Sequence, residues 1–174
     1  MRTDFFVLRR RVDEDRMITC VFAGHRKIYE PNIGEKVKKH WKKPMEIESR
    51  IVFLNGGMGR FDEVCVEVVR KLKEQYPEKD IHLCLVTAHF SNRFNTEKSY
   101  YQTFYDEILV PKEVEYTYYK AAITKRNRWM VDHADLMLAY IDHNYGGAYQ
   151  TCRYAQKKSV PIINIEEGAT VCLK

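Results

Sequence analysis

The apolar run Ile51-Val52-Phe53-Leu54 passes through Asn55 into Gly56-Gly57-Met58-Gly59-Arg60-Phe61-Asp62, and apolar side chains then return at helical spacing. No other stretch limits the fold as much. A short apolar run ending in glycines and opening into a helix is how a parallel strand hands over to a turn that can cradle an anion. Glycines let backbone N–H groups approach a ligand without interference from Cβ, and the start of the helix adds unpaired donors and the positive end of its dipole. Val64, Cys65, Val68, Val69 and Leu72 share one helix face, Glu63, Glu67, Arg70, Lys71 and Glu74 fall mostly on the other, and Asp62 is the expected N-cap. The glycine spacing matches neither the dinucleotide fingerprint nor the P-loop. The turn is therefore either a tight connection or an anion site, and the rest of the chain has to decide.

The remaining segments read as an α/β chain. Ile18-Thr19-Cys20-Val21-Phe22 is a strand ending in Ala23-Gly24-His25-Arg26, and polar residues at a strand's carboxyl end lie where open α/β sheets bind ligands. Asn32 and Glu35 are placed for a capping box before a helix with Ile33, Val37 and Trp41, which Pro44 is expected to end. Ile81 to Val86 and Glu107 to Val110 are further strands. Between Thr87 and Tyr119 lie nine aromatics: Phe90, Phe94, Tyr100, Tyr101, Phe104, Tyr105, Tyr116, Tyr118 and Tyr119. They fit either packing beneath a long connection or a stacking platform for bases.

Tyr118 to His133 reads as a helix with a buried stripe of Ala122, Ile123, Met130 and Val131, yet Arg126 and Asn127 occupy the same stripe. An inward guanidinium needs acceptors, because an unpaired buried charge costs several kcal/mol. Its partner is either Asp132, Asp135 or Asp142, or the phosphate or carboxylate of a ligand. Leu136 to Ile141 is the unbroken apolar run of a central parallel strand, and Asp142-His143-Asn144-Tyr145-Gly146-Gly147 after it is a second glycine turn opening a helix near Ala148. If the two strands are neighbours, the two turns converge on one ligand. Val160 to Ile165 is the last strand.

With 174 residues, 45% of them hydrophobic, the chain suits one α/β domain over residues 17–174, with residues 1–16 as an N-terminal arm or edge strand. No apolar run is long enough for a bilayer, and the N-terminus lacks the order of a signal peptide, so a cytosolic protein without a membrane partner is expected. Cys20, Cys65, Cys84, Cys152 and Cys172 are scattered and read as reduced core thiols. Neither they nor the six histidines show metal-ligand spacing, so no metal and no cofactor is expected. The net charge of +5 is mild, and the lysines at 36, 38, 39, 42 and 43 suit a solvated helix face better than a nucleic-acid surface.

Four ordered motifs, Ala-Gly-His-Arg at 23–26, Asn-Gly-Gly-Met-Gly-Arg-Phe-Asp at 55–62, Lys-Arg-Asn-Arg-Trp-Met-Val-Asp at 125–132 and Tyr-Gly-Gly-Ala-Tyr-Gln-Thr at 145–151, resemble the SLOG superfamily and within it the YpsA-like branch. The resemblance covers roughly residues 17–165. It implies a Rossmann-like, mostly parallel sheet of five to six strands with helices on both faces. It also implies a site for a nucleotide-derived small molecule at the strands' carboxyl ends, and a homodimer. Two other branches carry similar residues: the Smf proteins, which bind single-stranded DNA, and the LOG phosphoribohydrolases, which cleave an N-glycosidic bond with an arginine and a glutamate. Arg126 takes the place of that arginine and Gly146 and Gly147 that of the glycine motif. The glutamate has no counterpart among Ala148, Tyr149, Gln150, Thr151, Cys152 and Arg153, so no catalytic residue is assigned.

On this resemblance Gly56, Gly57 and Gly59 would hold phosphate through their amides, Arg126 would pair with it, and Gly146, Gly147 and Thr151 would close the other side. Gly24, His25 and Arg26 would edge the sugar or base, Asn127 would fix the glycine loops, and Asn55 and Asp62 belong to the same set. The leading expectation is a nucleotide-derivative binding protein of sensor or sequestering type. The alternatives are an N-glycoside hydrolase acting on nucleoside monophosphates and a binder of single-stranded nucleic acid.

Overall fold

The computed structural model describes residues 17–166, so the arm or edge strand expected over 1–16 lies outside the described residues. The strands are β1 (Met17–Gly24), β2 (Arg50–Asn55), β3 (Asp80–Val86), β4 (Glu107–Leu109), β5 (Leu136–Tyr140) and β6 (Ile162–Asn164). The helices are α1 (Ile33–Ile47), α2 (Arg60–Gln75), α3 (Arg93–Thr96), α4 (Lys98–Phe104), α5 (Lys112–Glu115), α6 (Tyr119–Asp132) and α7 (Gly146–Lys157). The strands form one six-stranded sheet in the order β4-β3-β2-β1-β5-β6, and every pairing is parallel. This is the α/β, Rossmann-like arrangement that the sequence implies.

Alternation along the central strands divides the core in two. Cys20, Phe22, Ile51 and Phe53 pack with Trp41 of α1 and Leu72 of α2 on one face. Val21, Ala23, Val52 and Leu54 pack with Met130 of α6 and Cys152 of α7 on the other. A strand buried on both faces has no polar side to show, which is why these runs are continuously apolar. Each large side chain so buried contributes roughly 1.5–3 kcal/mol. Cys20, Cys65, Cys84 and Cys152 are buried and unpaired, while Cys172 lies outside the described residues. Among the described residues no helix is long and apolar enough to cross a membrane.

Chain order places the site. From β1 the sheet grows outward through β2 and β3 to β4, then returns to the other side of β1 for β5 and β6. The connections therefore diverge between β1 and β5, and a crevice opens at the carboxyl ends of that pair, where Gly24 lies opposite Tyr140. The strands that precede the two glycine turns, β2 and β5, are not neighbours: β1 lies between them. Convergence of the turns therefore spans β1 rather than one strand gap.

Three local expectations are corrected. Helix α1 runs through Pro44 to Ile47. The bond lost to the ring falls at exposed His40, and fully buried Met45 holds the last turn in place. Asn32 forms no side-chain cap, because its backbone (φ −105°, ψ 24°) is not the extended one a capping box requires, and its carbonyl accepts the Lys36 N–H instead. Ile123 is 41% exposed and faces the crevice rather than the core.

Candidate functional site

The first glycine turn is braced from within. Fully buried Asn55 donates from Nδ2 to the Asp62 carbonyl (3.0 Å) and accepts the Gly57 N–H at Oδ1 (2.7 Å). Helix α2 begins at Arg60 with Gly59 in the cap position, so Asp62 is not its N-cap. The Asp62 carboxylate instead reaches back to accept the Met58 N–H at 2.7 Å. The Arg60 N–H donates to the Arg26 carbonyl at 3.0 Å. The amides of Gly57, Met58 and Arg60 are thus all engaged by the protein itself. Left-handed backbone at Gly57 (φ 65°) and Gly59 (φ 106°) favours glycine there, and a Cβ on Gly59 would lie 2.7 Å from the Cα of Arg26. Burial pushes the Asp62 carboxyl up to about 6, against the Met58 amide and the Arg126 charge, which favour the ionised form.

Arg126 is 3% exposed. Its Nη1 donates to the Gly56 carbonyl at 2.7 Å and the Val86 carbonyl at 2.9 Å, and its Nη2 lies 3.0 Å from the Met58 sulfur. Its partners are therefore carbonyls at the carboxyl ends of β2 and β3, and none of the three carboxylates that the sequence offered beside a ligand anion. Asp132 accepts from Tyr154 and Lys158, Asp135 accepts the Thr19 N–H, and Asp142 lies against two histidines. Among the described residues the Arg126 Nε–H has no acceptor. Burial lowers the guanidinium pKa, and the Asp62 charge opposes that shift.

The second glycine turn is built differently. Gly146 is left-handed (φ 87°) and begins α7, whose cap residue Tyr145 makes no side-chain capping hydrogen bond. From behind, Asn127 Nδ2 donates to the Thr151 hydroxyl (3.1 Å), which donates to the Gly147 carbonyl (2.8 Å). A Cβ on Gly146 or Gly147 would meet nothing within 4 Å among the described residues. Gly147 is thus demanded neither by its backbone angles nor by its neighbours.

Both turns face one cleft of about 620 Å³. Of the residues expected from sequence, Asn55 is buried behind the first turn, Gly59 packs against Arg26, and Gly57 faces a neighbouring cavity of about 330 Å³. Gly24, His25, Arg26 and Gly56 line the cleft, as do Asp62, Arg126, Asn127, Gly146, Gly147 and Thr151. Gly56, Met58, Ile123 and Arg126 form the wall shared by the two cavities, and Phe94, Tyr101 and Tyr105 line the far side of the smaller one. Tyr116, Tyr118 and Tyr119 of the aromatic segment are exposed.

The binding set expected from sequence left out Asp142, named there only as a candidate partner of Arg126, and His143; both also line the cleft. The His25 and His143 rings stack with centroids 3.4 Å apart, and His25 Nε2 lies 3.4 Å from Asp142 Oδ1. His25 is only 7% exposed; burial and then the nearby His143 lower its pKa, with Asp142 opposing. The available signal was positional: Asp142-His143 follows the β5 run as His25 follows β1.

A family model described as the YspA SLOG family matches residues 20–166. No curated protein matches the chain. Two solved structures share the fold. One is DNA processing protein A from Helicobacter pylori, described for its single-stranded DNA binding mode: TM-score 0.57, 16% identity, covering 83% of this chain and 63% of that one. The other is DNA processing protein A from Streptococcus pneumoniae, with TM-score 0.57 and 15% identity, covering 84% of this chain and 49% of that one. The chain thus spans from about half to under two-thirds of the length of these proteins.

Proposed function

This chain belongs to the YspA SLOG family, and on that premise we propose that the cleft between β1 and β5 binds a nucleotide-derived phosphate ligand, with the chain acting as a sensor or sequestering protein. The phosphate sits on the open amides at the start of α7, around Gly146 and Gly147, where the helix dipole favours an anion. Arg126 supplies positive charge from the cleft wall, and Gly24, His25 and Arg26 edge the sugar or base. The first glycine turn serves by shape, since Gly56 lets the backbone and guanidinium approach closely while the Gly57, Met58 and Arg60 amides stay engaged internally.

Gly147 carries this reading. A glycine that neither strain nor packing requires, at an uncapped helix start facing a cleft with a buried guanidinium, leaves room for a ligand to meet the backbone. Thermal denaturation with AMP, ADP-ribose and UDP-glucose tests it. A ligand at 100 times its Kd adds about 2.7 kcal/mol of stability, so at least one should raise Tm by several degrees. No shift with any of them at millimolar concentration removes the reading. A steeply salt-dependent affinity for oligo-dT in its place would favour nucleic acid, and free base released from AMP would favour turnover. A homodimer is part of the same proposal and is read by light scattering.

A further inference from the structure

His25 and His143 stand 118 positions apart by number, and chain spacing gave no reason to place them at one metal. The parallel pairing of β1 and β5 brings them together. Gly24 lies opposite Tyr140, and the His25 N–H continues the ladder to the Tyr140 carbonyl at 3.2 Å. One Asp142 oxygen, Oδ1, then lies between two imidazoles: His25 Nε2 at 3.4 Å and His143 Nδ1 in direct contact. Among the described residues these three are the group whose ligand atoms all fall within 4.8 Å of one another.

The surroundings of His25 sharpen the point. Among the described residues its Nε2 is buried with no hydrogen-bond partner, 3.4 Å from Asp142 Oδ1. One cation between them would satisfy both the buried ring nitrogen and the carboxylate oxygen. The 3.4 Å separation also fits two ligands of one tetrahedral ion, whose bonds of about 2.0–2.1 Å to nitrogen and oxygen set edges of roughly 3.4 Å.

We propose that His25, Asp142 and His143 form a site for a divalent transition metal of the zinc class, open on its fourth side to the cleft. His25 Nε2 and an Asp142 oxygen are set for the ion. A metal lies in the plane of the imidazole that binds it, and the His143 ring is nearly parallel to that of His25 (13°), so His143 turns out of the stack to ligate. Its side chain is 33% exposed, and the turn would also part it from the exposed Tyr145 ring, now 4.0 Å away between centroids. Three protein ligands and one open position are the layout of a site that meets a ligand or water rather than one that only holds a fold together. The site rests on this geometry and not on what else occupies the cleft.

The test is titration of the chelator-treated full chain with Co(II) and Zn(II), followed by Co(II) absorption and calorimetry. One equivalent should bind with the visible bands of a tetrahedral Co(II) site. His25→Ala and Asp142→Asn should each weaken binding at least about 100-fold, more than loss of an outer partner costs. His143→Ala, at a more exposed position, should weaken it while leaving the metal-free Tm unchanged, which separates ligand loss from misfolding. His89→Ala, an exposed histidine outside this cleft, should bind like the parent. Absence of one-to-one binding, or binding undiminished in folded His143→Ala and Asp142→Asn, overturns the proposal.

Discussion

The Arg126 guanidinium donates to the carbonyl of Gly56, 70 residues away, at 2.7 Å, and a side chain on Gly56 would overlap the donating nitrogen. Glycine at 56 and arginine at 126 are thus one device: the missing Cβ makes room for the cation that ties β2 to β3. Gly56→Ala forces the guanidinium off both carbonyls and leaves buried acceptors unmet. Chemical denaturation should show a loss of about 2–4 kcal/mol, the range of overpacking combined with a broken buried bond. Arg126→Lys should fail to restore it, because an ammonium cannot reproduce the planar donor geometry.

Gly24 and Gly147 separate structural from ligand-facing glycines. A Cβ on Gly24 would run into the fully buried ring of Phe61, so Gly24→Ala should cost several kcal/mol or prevent folding. Gly147→Ala meets nothing, so its stability should stay within about 0.5 kcal/mol of the parent. Its ligand-induced Tm shift should nevertheless fall sharply. An undiminished shift in Gly147→Ala would locate the anion elsewhere.

Asp62 links stability to pH. Its carboxyl is raised from 3.8 to about 6 in the fold, so between those values the native state holds a proton that the unfolded chain has released. The stabilisation is present below pH 4 and is lost as pH rises through 6. Asp62→Asn removes the dependence. The stability difference, variant minus parent, should therefore grow by up to about 3 kcal/mol from pH 4 to pH 7, at 1.36 kcal/mol per pKa unit. Denaturation curves at several pH values give it directly, and a flat difference would show that Asp62 is already ionised at low pH.

Asn127 holds the second turn through Thr151 and the Gly147 carbonyl. Asn127→Ala breaks that chain at its first link. It should cost about 1 kcal/mol, a typical net hydrogen bond, and should weaken ligand binding more than that loss predicts. Calorimetry beside denaturation distinguishes the two effects.

Much of this could be read along the chain. Runs such as Leu136–Tyr140 and Ile51–Leu54 declare buried parallel strands because period and polarity are local properties. Arg126 was conspicuous because it interrupts an apolar stripe at helical spacing. Its partners were not readable: the Gly56 and Val86 carbonyls lie 70 and 40 residues away, and every residue type carries a carbonyl. The helix through Pro44 was misread because buried Met45, not local propensity, holds its last turn.

By itself the sequence determined the class of fold, the glycine turns at the carboxyl ends of strands, and the presence of one inward cation. Each of these is set by neighbours within a few positions. Only the tertiary structure decided that β1 lies between the two turn-bearing strands, that the Gly57, Met58 and Arg60 amides are engaged while Gly147 stands open, and that His25 meets Asp142 and His143. Strand order and cross-strand register set those meetings, and they arise from packing among segments that local pattern does not encode.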